Sequence, residues 1–116
     1  MKRSYRNRDS LSNYFPLPNE IFYLGLSSGE ILVYAYLMFI EDRRTYQCHP
    51  SYATIGKAVG MSRNTVKKYV AGLEDKGLIY TEPTTVYTKS GQARNGSLLY
   101  TIRPMEEVME SCYEKK

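Results

Sequence analysis

The sequence predicts a mainly α chain completed by a small antiparallel β hairpin, and three observations point there. The run Tyr52 to Tyr69, YATIGKAVGMSRNTVKKY, has the layout of two short helices meeting at a tight corner. Val66, Tyr69, Val70 and Leu73 recur at i, i+3, i+4 and i+7, one buried helical face. From Leu78 onward that period gives way to β-branched and aromatic runs, which read as extended chain. With 116 residues the chain fits one compact domain with a single modest core.

Residues 1–13 are polar and basic, without periodicity, and read as a flexible arm carrying Lys2, Arg3, Arg6 and Arg8. Asn19 to Leu24 is expected to make one short helical turn. The first long helix starts at Ser27, where Ser27 and Glu30 have capping-box spacing and Leu26 can staple onto Ile31. It should run to about Asp42. Its apolar residues occur on every side, so it should be covered from more than one direction. Phe15 to Leu24 is the expected cover, and a homodimer interface is the other reading of that face.

Tyr46 to His49 reads as a short strand, and Ser51 as the cap of a helix ending at Val59. Gly60 falls at the corner, where a left-handed residue is needed. Ser62 caps the next helix, which should end near Lys76 with Gly77 as its stop. Leu78 to Thr81 and Thr84 to Thr88 are extended, interrupted by Pro83. Lys89 to Gly96, KSGQARNG, reads as a basic turn region with an Asn-Gly pair. Ser97 to Arg103 returns as a strand with Leu98, Tyr100 and Ile102 on one side, and Pro104 ends it. Residues 105–116 form a short acidic helix or tail whose Met105, Val108, Met109 and Cys112 make one apolar stripe, a second candidate dimer surface. The order helix, helix, turn, helix, strand, basic loop, strand is that of a winged helix-turn-helix, spanning 14–104.

Composition narrows the partners. A formal charge of +4 and a pI near 9.0 favour a polyanion. Cys48 and Cys112 lie far apart and fit no disulfide framework or paired metal motif, so reduced thiols in a cytoplasmic protein are the simplest account. His49 is the only histidine. No nucleophile–base pair, metal spacing or phosphate loop stands at recognisable positions, which argues against an enzyme, and no cofactor or small-molecule ligand is evident. The apolar run Ile31 to Ile40 is too short to cross a bilayer, which takes about 20 residues. Twelve tyrosines without tryptophan fall mostly at helix-face or strand-face spacing and read as core and rim, not as a base-stacking platform.

The second helix of such a motif enters the major groove of double-stranded DNA by its N-terminal part. Asn64, Lys68 and Ala71 point away from the buried face, with Arg63 and Lys67 flanking them. Arg63 suits guanine O6 and N7, Asn64 suits adenine N6 and N7, and Lys67 and Lys68 suit phosphate or guanine. The small Ala71 and Gly72 would let the backbone approach the groove. The Ser62 and Thr65 hydroxyls, and the free amides beginning each helix, at Ser51 as at Ser62, can hold phosphates. Lys89, Gln92, Arg94 and Asn95 give the loop between the strands its own backbone or minor-groove contacts.

Tyr14 to Pro104 resembles the winged-helix domain of helix-turn-helix proteins from Gram-positive mobile elements. FPLPNEIF, then LSSGEILVYAYL, then the helix-turn-helix, then LEDKGLI are similar in layout to the N-terminal domain of plasmid replication initiators. The resemblance implies sequence-specific DNA binding, as a transcriptional regulator of a plasmid, phage or conjugative element, or in replication initiation or plasmid maintenance. Such initiators usually carry a further C-terminal domain, whereas this chain ends soon after the wing, which argues against an origin-initiating role and leaves the expectation of DNA recognition intact. A winged helix used only to bind protein is the reading from another class, opposed by the donors on the second helix.

Overall fold

The computed structural model describes residues 13–114, with side chains described as far as Glu110. The basic arm lies outside these residues, as does the side chain of Cys112.

A single 3-10 turn over Asn19–Tyr23 leads to α1, Ser28–Ile40. The Ser27 hydroxyl accepts from Glu30 N at 3.2 Å and the Glu30 carboxylate accepts from Ser27 N at 2.8 Å, so the capping box forms in full. α1 stops two residues before the expected Asp42. Asp42 N donates to Gln47 O, and the Asp42 carboxylate accepts from Arg44 N, so a local turn competes with the helix. Then come β1 (Gln47–Cys48), α2 (Tyr52–Val59) and α3 (Arg63–Asp75), with Gly60 left-handed at φ 74°.

The three extended segments expected after α3 become four strands, β2 (Ile79–Glu82), β3 (Thr85–Tyr87), β4 (Ala93–Asn95) and β5 (Leu99–Ile102), because β4 forms within the Lys89–Gly96 stretch read as a turn region. β5 is the centre of a three-stranded antiparallel sheet, flanked by β1 and β2, while β3 and β4 pair separately as the outer hairpin. Pro83 marks the break between the two sheets. There the Thr84 hydroxyl donates to Ser97 O, answering a carbonyl where the ladder stops. The final helix α4 runs Met105–Glu114.

The core joins Val33, Tyr34 and Leu37 of α1 to Ile55, to Val66, Val70 and Leu73 of α3, and to Ile79, Tyr100 and Ile102 of the sheet. Val108 is buried in the same core and Met105 packs against it. Met105 and Val108 of the α4 stripe therefore serve intramolecular packing. The outer face of α1 is only partly covered. Ile21 is buried and the Phe15 ring lies 5.4 Å from that of Phe39, yet Phe22 and Tyr23 point outward at 74% and 80% exposure, and Phe39 and Leu32 stay exposed. Among the tyrosines, Tyr34 and Tyr100 are core and Tyr36, Tyr52 and Tyr69 pack on it, but Tyr14, Tyr23, Tyr46, Tyr80 and Tyr87 are exposed.

One tertiary clamp has no counterpart in the sequence reading. Lys76 Nζ, just beyond α3, donates to Glu30 Oε1 at 2.7 Å and to Gly25 O at 3.3 Å, tying the start of α1 to the end of α3. A Cβ on Gly72 would strike the Glu30 carboxylate. Gly72 therefore faces α1, and its small size serves helix packing instead of an approach to a DNA groove.

Candidate nucleic-acid interface

Both helices of the motif open with the same cap. Ser51 Oγ accepts from Thr54 N at 3.0 Å and donates to Thr54 Oγ1 at 2.9 Å; Ser62 Oγ accepts from Thr65 N at 3.2 Å and donates to Thr65 Oγ1 at 2.9 Å. Each serine thus spends its proton inside the cap. The hydroxyl hydrogens left for an external phosphate are those of Thr54 and Thr65. Thr54 escaped the sequence reading, although Ser51-x-x-Thr54 repeats the spacing of Ser62-x-x-Thr65.

Above these caps, an open groove of about 580 Å³ runs between the helix-turn-helix and the outer hairpin. Ser51 and Ala53 of the α2 entry, Arg63 and Lys67 of α3, and Asn95 of β4 line it. Arg63 and Lys67 sit one helical turn apart, so both cations address the same space. Asn64 and Lys68 are exposed one position further round α3 and do not line this groove. The Lys68 ammonium lies 5.6 Å from the Tyr69 ring centroid.

The wing differs from expectation in its turn. The tip is Thr88–Gln92: Thr88 N donates to Gln92 O, Gly91 N donates to Thr88 O, and Gln92 N donates to the Thr88 hydroxyl. Gly91 takes the left-handed conformation at φ 86°. Asn95-Gly96 is not the turn, because Gly96 N is drawn to Thr84 O across the hairpin. Lys89 therefore stands at the tip, whereas Arg94 and Asn95 project from β4. Arg94 Nη2 lies 3.4 Å from Gln92 Oε1, and Arg94 and Asn95 border a shallow surface hollow with Thr85. Asn95 thus belongs both to this surface and to the groove beside α3.

Three helices, a three-stranded sheet and an outer hairpin in this order define a winged helix-turn-helix. Residues 24–79 match the family described as a helix-turn-helix domain. No curated protein matches the sequence. Among solved structures, the chain is similar to a MarR-family transcriptional regulator from Silicibacter pomeroyi, with 18% identity and a TM-score of 0.50 over 96% of this chain and 62% of that one. It is also similar to the transcriptional regulator PA3341, with 21% identity and a TM-score of 0.51 over 98% of this chain and 69% of that one. The chain therefore spans less than two thirds of the Silicibacter protein's length. At these identities the likeness is one of fold. Among the described residues no helix is long and apolar enough to cross a membrane.

Proposed function

We propose that this chain binds double-stranded DNA in a sequence-specific way and regulates transcription. The observation that carries the reading is the groove where Arg63 and Lys67 of α3 converge with Asn95 of the wing above two capped helix N-termini. α3 enters the major groove, with Arg63 and Asn64 reading base edges and Lys67 and Lys68 holding phosphates or guanine. Thr65 and the amides behind Ser51 and Ser62 take the flanking phosphates. Lys89, Arg94 and Asn95 follow the backbone beyond.

Selection from a random duplex pool, followed by sequencing, tests this directly. An enriched motif is expected, and Arg63→Ala should relax it at one position, at a cost of about 1–3 kcal/mol of discrimination. Absence of any preference among duplexes at moderate salt would sink the specific regulator. Retained fold with no affinity for DNA at low salt would point to a protein-binding winged helix.

The setting we infer is the cytoplasm of a host of plasmids, phages or conjugative elements, on the resemblance of FPLPNEIF, LSSGEILVYAYL and LEDKGLI. A bound palindrome overlapping a promoter supports the regulator, whereas repeats at an origin support replication initiation or plasmid maintenance. A homodimer joined through Phe22, Tyr23, Leu32 and Phe39 would present two α3 helices to successive turns of DNA, about 34–36 Å apart. Sedimentation with and without DNA checks that assembly.

A further inference from the structure

The outer hairpin has two faces, and its pairing register sorts the residues between them. Thr85 pairs with Asn95, Val86 with Arg94 and Tyr87 with Ala93. Side chains alternate along a strand, and directly paired residues share a face. Thr85, Tyr87, Ala93 and Asn95 therefore stand on one side, and Val86 and Arg94 on the other. Packing agrees with this division. A Cβ on Gly96, the next residue in the Arg94 series, would press on Val86 Cγ1.

The first face is continuous with the groove beside α3. Asn95 lines that groove with Arg63 and Lys67, and it borders the outer hollow with Thr85 and Ala93. Tyr87 follows Thr85 on the same strand face, roughly 7 Å nearer the tip. Arg94 leaves from the far face, with Nη2 3.4 Å from Gln92 Oε1. Its guanidinium has to come round the strand edge to reach what Asn95 faces.

The fold gives Tyr87 little to pack on. It is 73% exposed, and its cross-strand partner Ala93 offers a single methyl group. Tyr80 is exposed too, but the Arg103 guanidinium lies 5.2 Å from its ring centroid. Among the described residues no ring or cation pairs with Tyr87 in that way.

We propose that Tyr87 is a sugar–phosphate contact of the wing, its ring on deoxyribose and its hydroxyl donating to a phosphate oxygen of duplex DNA. The inference rests on the DNA-binding reading and adds a residue to it. Bases within a duplex stack on one another, so an aromatic side chain arriving from outside meets the backbone and not a free base face. Such a contact positions the protein without reading sequence. It carries no charge, so it releases no counterion.

Duplex affinity measured across a salt series tests the contact. Tyr87→Phe keeps the ring and removes the hydroxyl, and binding about threefold weaker is expected, alike for preferred and scrambled duplexes. Tyr87→Ala should weaken both at least tenfold. The slope of log K against log salt should remain that of the unaltered chain, because every cation stays in place. Val86→Thr, on the far face, should bind within twofold of the unaltered chain. Unchanged affinity in Tyr87→Ala, or an equal loss in Val86→Thr, overturns the proposal and leaves DNA binding intact. A flattened slope in Tyr87→Ala signals a displaced wing, and Tyr87→Phe then decides alone. Threefold weakening at an unchanged slope supports the contact, and full affinity overturns it. If the unaltered chain binds no duplex, the DNA-binding reading and this contact fall together.

Discussion

At Gly56 the usual rule for glycine inside a helix reverses. Alanine normally stabilises a helix over glycine by about 0.8–1 kcal/mol. A Cβ at Gly56 would instead run into the backbone carbonyl oxygen of Met61, which the turn holds in place through Met61 N bonding to Gly56 O. Gly56→Ala is therefore expected to destabilise the fold by about 1–3 kcal/mol, read from the denaturant midpoint. A neutral or stabilising result would mean that the corner opens without cost. The sequence shows a glycine within the run Tyr52 to Tyr69 but not which atom opposes it. Gly72 shows the opposite outcome. Its smallness suggested a DNA approach, and only the packing of α3 against α1 reveals that it accommodates Glu30.

The helices are legible from their ends, because a cap is satisfied within three residues of itself. Ser51 and Ser62 take nearly identical backbone angles and hydrogen bonds, so Ser51→Ala and Ser62→Ala should each cost about 1 kcal/mol in chemical denaturation. A loss confined to one of them would show that the two caps are not equivalent. The tie between α1 and α3 is different, since Glu30 and Lys76 are 46 residues apart. Burial pushes the Glu30 carboxyl up, but the hydrogen bonds from Lys76 and Ser27 and the Lys76 charge outweigh it, and the net position is below the ordinary range. A lowered carboxyl contributes stability that is present above its unfolded value and disappears as pH falls through the folded one. Glu41, held high by burial, acts in the opposite sense and gains on protonation. Lys76→Met should cost roughly 1 kcal/mol at pH 7, a modest figure because the ammonium is partly solvated and screened. The difference from wild type should shrink between about pH 5 and pH 3 as Glu30 is neutralised. A pH-independent difference would place the effect in packing instead of charge. The wing was legible as extended chain. Its turn was not, since Thr88 outcompetes Asn95-Gly96 only once β3 and β4 are paired.

At the scale of the molecule, polar and charged side chains from separate stretches of sequence line one groove. Arg63 and Lys67 meet Asn95 across the groove, and Lys89 stands at the wing tip. If Lys89 neutralises one phosphate, Lys89→Ala should weaken all duplexes alike and reduce the slope of log K against log salt by about 1. A loss of discrimination among sequences would instead make Lys89 a base reader.

By itself the sequence determined the order of the elements, the capped helix starts, the left-handed corner at Gly60 and the outward donors of α3. These rest on local hydrogen bonds and on periodicity, which a short window contains. Tertiary structure alone decided that Arg63 and Asn95 share a groove, that β1 joins β5 as a third strand, that Gly72 yields to Glu30, and that Tyr87 and Asn95 share a face of the wing. Such pairings join residues far apart in the chain. Burial and packing choose among them, and neither is written in any single segment.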